Sequence, residues 1–350
     1  MVSTETTAVP ATALEATLWT LYRSALDRFL PLKDGLVARS VTAVGGRWTL
    51  TEPSPLNTAE VVRTLFLLEA HGLPTTGWTP RAMLDCLVDG HVHNGDVQVT
   101  AATLWATAVG NDRHADAVFM QLLQHVKTCS QSMTLACVIS AVCGYGRLPG
   151  RQDAARQLAH GLLDRLFANQ NSRSGLFHSS AKRTGLLRRR QPDSLLSSQA
   201  YPILAIADYA RTFDDPTVLP RAQRCADALT SRQGAQGQWW RRYNAATGAT
   251  IDNYPVFAVN QASAVPAALR HLQQQLGNGR YDPAIDRGLQ WLSGSNELQQ
   301  VLFDASEQMV ARSITGSAQG FVIDRELYSY EPARYLTATL TRPVEQTVRA

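Results

Sequence analysis

The chain of 350 residues lacks most of the features that announce a function by themselves. It has no CxxC pair. Cys86, Cys129, Cys137, Cys143 and Cys225 are scattered and odd in number, which argues against a disulfide framework and makes a reduced, cytoplasmic setting the expectation. No apolar run approaches the length needed to cross a bilayer, so no stable membrane insertion is expected. The opening MVSTETTAVPATALEATLW has neither the basic stretch nor the apolar core of a secretion signal. Charge of one sign is scarce too: 33 basic and 29 acidic residues leave a net +4, too small an excess to point to nucleic acid. The one dense cluster, Arg188, Arg189 and Arg190, reads as a solvated loop or as a contact for an anion. There is no GxxxxGK[ST] phosphate loop and no GxSxG turn. His91 and His93, with Asp96 as a third group, would suit a metal, but no other spacing supports one and DGHVHNGD also reads as a polar turn. No cofactor or metal is expected.

What the chain does have is helix. Apolar residues make up 45% and charged residues 18%, ample for a core. Helical periodicity starts in ALEATLWTLYRSALDRFL, where Leu14, Leu18, Tyr22, Leu26 and Leu30 share a face. The span GLVARSVTAVGGRWTLTEPSP is richer in turn and strand formers. After it, LNTAEVVRTLFLLEAHGLP opens with Asn57 or Thr58 as an N-cap and stops at Gly72 and Pro74. Further helical segments follow with short Gly/Pro breaks, as in a succession of helical hairpins. A long alternating pattern first appears in SITGSAQGFVIDRELYSYEP.

Two stretches repeat one another. LLDRLFANQNSRSGLF and CADALTSRQGAQGQWW each run from a helix through Gln170 or Gln233 and Gly175 or Gly237 to an aromatic, Phe177 or Trp239. A Tyr-Pro follows each, Tyr201-Pro202 and Tyr254-Pro255, and these pairs are taken as equivalent. Gln233-x-x-x-Gly237-x-Trp239 resembles the core of the QW motif of squalene and oxidosqualene cyclases. The wider region, GQWWRRYNAATG through YPVFAVNQ to GLQWLSGSNEL, is similar to a group of bacterial α/α-toroid proteins that resemble both terpenoid-cyclase toroids and six-hairpin glycosidase toroids. The resemblance implies an all-α chain folded as an α/α toroid, a barrel of helical hairpins with a short irregular or strand-like C-terminal segment. It would occupy residues 11–340 as one domain, between a disordered N-terminus (1–10) and a flexible tail (341–350).

Gln233, Gly237 and Trp239 read as a structural clasp: an amide for orphan helix-end groups, a glycine for the turn, an indole as a seal. Trp240, Arg242 and Tyr243 lie beyond it and could bind a ring or an anion. Asp252, Tyr254 and Gln261 are placed at the start of the next helix, with Tyr254 and Gln261 two turns apart on one face, and Tyr201 at the matching position of the other copy. Glu297 and Asp304, with Glu307 nearby, offer carboxylates for acid and base work. The candidate catalytic residues are therefore Asp252, Tyr254, Glu297 and Asp304, and the substrate-binding ones Tyr201, Trp240, Arg242, Tyr243 and Gln261.

The chain lacks the DxDD and DDxxD motifs of terpene cyclases. The main functional expectation is nonetheless an enzyme of specialised metabolism that cyclises, isomerises or dehydrates a small, largely apolar, isoprenoid-like substrate. The alternatives are a carbohydrate-active toroid, an epimerase or glycoside-processing protein, and a non-catalytic binding or scaffold toroid. The oligomeric state is left open.

Overall fold

A computed structural model describes residues 35–44, 47–72, 79–180, 183–184, 189–190, 193–304, 309–317, 320–324 and 327–328. The helical segment expected from Ala13, both chain ends, Glu307 and the side chains of the arginine cluster lie outside them.

Ten α-helices follow one another as hairpins among these residues: α1 (Pro55–Ala70), α2 (Pro80–Gly90), α3 (Val97–Val109), α4 (Ala115–His125), α5 (Ser132–Gly146), α6 (Gln152–Phe167), α7 (Ser197–Phe213), α8 (Leu219–Thr230), α9 (Val265–Leu276) and α10 (Asp282–Leu292). The odd-numbered helices pack side by side in succession, and each even-numbered helix backs onto its hairpin partner. This is an α/α toroid, with five inner helices among the described residues round an axis and an outer layer behind.

Composition sorts the two layers. Inner α5, SMTLACVISAVCGYG, is buried on almost every side, so it is apolar all round and built of small residues. Outer α8 buries one stripe, including Leu219, Ala222, Cys225, Ala226 and Leu229, and exposes Arg224. All five cysteines are free thiols.

α1 begins earlier than the sequence suggests. Pro55, with φ already fixed for a helix, takes the first helical position, and Ser54 caps it by accepting from the Asn57 N–H at 3.3 Å. Asn57 is instead buried and donates to the Arg39 carbonyl at 2.8 Å. Asp96 likewise caps α3, accepting from Gln98 N and Val99 N.

The strand-forming span folds as the hairpin β1 (Ser40–Val44) and β2 (Arg47–Leu50). Two small sheets lie beside the inner-helix N-termini. In one, β3 (Asp193–Leu195), β4 (Arg242–Asn244) and β5 (Thr250–Asp252) are antiparallel neighbours, with Leu195 opposite Arg242 and Arg242 opposite Asp252. In the other, β6 (Val256–Phe257) pairs with β7 (Ser313–Ser317), which pairs with β8 (Gly320–Asp324). The described part of the C-terminal segment is thus short strands, as expected.

Candidate functional site

Hairpin alternation places inner-helix starts and outer-helix ends together, at what we call the mouth. Two copies of one clasp stand there. Gln170 Nε2 donates to the carbonyls of Gly175 and Arg221, both at 2.8 Å. Gln233 Nε2 donates to those of Gly237 (3.0 Å) and Ala284 (2.8 Å). Each glutamine thereby ties its turn to the start of the next outer helix. Both glycines have positive φ, +78° and +97°, and a Cβ would lie 2.8 Å from the Arg224 carbonyl at Gly175 and 2.1 Å from that of Arg287 at Gly237. Only glycine combines this turn with so close a backbone approach.

A second glutamine completes each copy. Gln199 accepts from Phe177 N and donates to Phe177 O, each at 2.8 Å. The Gln261 amide, oriented so that both its groups are satisfied, accepts from Trp239 N and donates to Gly237 O, each at 3.0 Å. The equivalent pair is therefore Gln199 and Gln261, not Tyr201 and Tyr254. Tyr201-Pro202 sits inside α7, whereas Tyr254-Pro255 is a cis peptide in extended chain ahead of β6. Gln261 lies in a π-helical turn, Asn260–Ala264, that takes in the one residue by which the second copy is longer beyond this point. Phe177 and Trp239 are both fully buried, and Trp239 packs its indole nitrogen against Gly288, where a Cβ would lie 2.7 Å away.

Inside the ring, exposure survives on one stripe of each inner helix. On α3 it falls on Gln98, Ala102, Trp105 and Val109, and on α7 on Ser197, Tyr201 and Leu204, a helical period that faces the axis because the outer layer covers the opposite side. At mid-depth Arg63 of α1 is buried, donates to Glu60 at 2.6 Å and lays its guanidinium 3.9 Å from the Trp105 ring centre. Its Nε–H has no hydrogen-bond partner. A donor, a carboxylate and an aromatic ring thus meet between α1 and α3, with Arg63 and Glu60 nearly buried and Trp105 partly exposed. None of these three residues stood out in the sequence: Glu60 and Arg63 look like an ordinary i,i+3 surface pair, and Trp105 like a core residue.

Deeper, Asp208 of α7 is buried between Arg211 (3.1 Å), Arg147 (3.6 Å) and His271 Nδ1 (3.8 Å). Burial alone would raise its pKa, but His271 and the two guanidiniums outweigh it and hold the carboxyl below the usual range. This network links the end of α5 with α7 and α9.

At the mouth, Glu297 is a hub. Its Oε1 accepts from Tyr254 Oη (2.5 Å) and Gln238 Nε2 (2.8 Å), and its Oε2 from Trp291 Nε1 (2.9 Å). Burial and this carboxylate both raise the Tyr254 pKa, so the phenol keeps its proton and cannot serve as a base. Half-buried Trp240 meets Tyr254 edge-on, with ring centres 5.9 Å apart, and Phe321 lies 5.0 Å from Tyr254 on the chain beyond.

Three candidate residues thus come together: Trp240, Tyr254 and Glu297. Arg242 and Asp252 form a separate latch, in which Arg242 bonds Asp252 at 2.8 Å and also Asp193, beside a hollow of about 300 Å³ that includes Ser179 and Ser194. Asp252 lies on β5 and Tyr254 outside any helix, so neither begins the next helix, because the chain first makes the bulged pairing with β4 and then β6. Tyr243 is fully buried with no partner for its hydroxyl, and Gln261 is committed to the clasp. Tyr201 is half-buried in the well. Asp304 pairs through its backbone with Met309, and its side chain lies outside the described residues. Among the described residues no three His, Cys, Asp or Glu side chains form a metal-binding group, and no helix is long and apolar enough to cross a membrane.

No protein-family model and no curated protein matches the chain. Solved structures do. A cellobiose 2-epimerase from Bacillus thermoamylovorans aligns over 95% of this chain and 99% of its own, with a TM-score of 0.72 and 10% identity. A sugar epimerase from a ruminal bacterium covers 96% and 100%, with a TM-score of 0.68 and 8% identity. An unsaturated glucuronyl hydrolase from Bacillus sp. GL1 covers 97% of each chain, with a TM-score of 0.63 and 12% identity. Identities this low establish the fold. They support the six-hairpin side of the sequence resemblance and not the terpenoid-cyclase side. The expectation of an isoprenoid-like substrate is overturned: the similar folds belong to sugar epimerases and glucuronyl hydrolases.

Proposed function

We propose that this protein is carbohydrate-active and takes a saccharide into the axial well, where it rearranges the sugar without cleaving it. One observation carries the reading: the Glu60–Arg63 pair lies against Trp105 on the inner helices. A pyranose needs neighbouring donors and acceptors for adjacent hydroxyls and an aromatic face for its C–H surface, and these three side chains supply that combination. Two of the folds that it resembles over nearly their whole length are named for cellobiose and sugar epimerisation, which supports the same class.

Epimerisation is favoured over hydrolysis by the carboxylates. Cleaving a glycosidic bond requires a protonated carboxylic acid and a second carboxylate. Glu60 is paired with Arg63, Asp208 is held ionised by its cationic partners, Asp193 and Asp252 share Arg242, and Glu297 already accepts three hydrogen bonds. None of these is placed as a free proton donor.

The test is to incubate the protein with cellobiose and follow the anomeric region by proton NMR. New disaccharide signals at unchanged mass are the expected result. Release of glucose would replace epimerisation by hydrolysis, and unchanged spectra together with no binding of any sugar tested would remove the carbohydrate reading.

A further inference from the structure

The arginine cluster takes no part in the clasp or the latch, yet the backbone gives it a defined place. Arg183–Thr184 and Arg189–Arg190 form a two-stranded antiparallel ladder, with Arg183 opposite Arg190 and Thr184 opposite Arg189. In sequence they are joined by Gly185, Leu186, Leu187 and Arg188, so five of the nine residues from Lys182 to Arg190 are basic. No acidic residue occurs between Asp164 and Asp193. Like charges at directly opposite positions destabilise a ladder, and an anion held against it offsets that repulsion. Two residues separate the ladder from β3, whose Leu195 is 44% exposed. Leu195 lies opposite Arg242 on β4, and Arg241, whose carbonyl accepts from Leu196 N at 2.9 Å, is exposed beside it. Ile251, at the bulge of β5, is 40% exposed. Asp193 and Asp252 both pair with Arg242, and Arg241 offsets the negative charge left over, so this sheet does not balance the cations of the ladder.

We propose that the ladder and the neighbouring sheet dock the protein on an anionic lipid surface. The cations meet the headgroups, while Leu195 and Ile251 enter the boundary between headgroups and acyl chains. Exposed apolar side chains beside cations favour a lipid over a soluble polyanion, which would use the charges and leave Leu195 and Ile251 in water. The contact is peripheral, since no helix among the described residues is long and apolar enough to cross a membrane. It is independent of the saccharide reading of the ring interior.

The experiment is cosedimentation of the full chain with phosphatidylcholine vesicles, alone and with about 30% phosphatidylglycerol, at low and at physiological salt. Expected is binding to the anionic vesicles roughly tenfold or more tighter than to the neutral ones, weakening as salt rises. Arg189→Gln combined with Arg190→Gln should lower that affinity by roughly tenfold or more, because each basic residue near the surface contributes to it. Leu195→Asn should lower it about threefold. Removing the charge opposite Arg183 relieves repulsion and Leu195 is exposed, so both variants should keep their fold, which circular dichroism verifies. Equal binding to the two kinds of vesicle, binding to neither, or an unchanged preference in the double variant would overturn the proposal. Unchanged affinity in Leu195→Asn together with equally tight binding to dextran sulfate would assign the charges to a soluble polyanion and overturn the lipid.

Discussion

In both copies of the clasp a glutamine donates to the carbonyl of its turn glycine and to one in the next outer helix, but the copies differ in what they carry. In the first, Phe177 closes the clasp and the chain continues through Ser194, which donates to the Phe177 carbonyl at 2.6 Å, directly into α7. In the second, Trp239 closes it, and the next residue, Trp240, turns toward Tyr254 and Glu297. The difference teaches that the clasp is architecture held constant, while the loop released beyond it is free to build the mouth. In both places one glutamine side chain donates to two carbonyls and so holds its turn against the start of the next outer helix.

The largest effect separating clasp from mouth is expected at the buried aromatics. Trp239→Ala should cost about 3–5 kcal/mol in denaturant unfolding, and Phe177→Ala a comparable but smaller amount because less volume is removed. A loss under 1 kcal/mol at Trp239 would break the equivalence of the two copies.

Asp208 extends the comparison into the helices, since Asp208 and His271 hold matching positions in the two copies and face one another. Asp208→Asn should destabilise by about 3 kcal/mol, because the cations around it lose their counter-charge. Its folded-state pKa is lowered, so its stabilisation is present above the carboxylate's unfolded value of about 3.9 and is lost as pH falls further. The wild-type unfolding midpoint should therefore drop below about pH 4 more steeply than that of the variant. Parallel pH curves would show that the network contributes nothing there.

Gln170→Ala and Gln233→Ala should each cost about 1–2 kcal/mol, since each loses the two hydrogen bonds that tie a turn to the next outer helix. A marked inequality would mean that one clasp is redundant. The smallest effect is expected at Trp240→Ala, below about 1 kcal/mol, because its ring is only half-buried. Equal losses at Trp239 and Trp240 would erase the distinction between seal and mouth.

The clasp was legible in the sequence because it depends on local spacing: Gln, Gly and an aromatic within seven residues. The succession of helical hairpins was legible from periodicity for the same reason. The Tyr-Pro alignment misled because proline is tolerated both inside α7 and in extended chain ahead of β6, so the dipeptide does not specify a structure. The second clasp glutamines, Gln199 and Gln261, were the better marker, but their partners are 22 residues upstream in each copy. Glu60, Arg63 and Trp105 could not be read as a group, since Arg63 and Trp105 meet only when α1 and α3 pack. Phe321 was hidden likewise: its proximity to Tyr254 follows from strand pairing across more than fifty residues.

The central claim is that the axial well receives a saccharide through Glu60, Arg63 and Trp105. The most direct measurement is calorimetric titration of cellobiose into the wild type, Glu60→Gln and, as a control on the mouth latch, Asp252→Asn. The account predicts at least a tenfold loss of affinity in Glu60→Gln with the fold retained, and near-wild-type affinity in Asp252→Asn. Undiminished binding in a folded Glu60→Gln protein would contradict it.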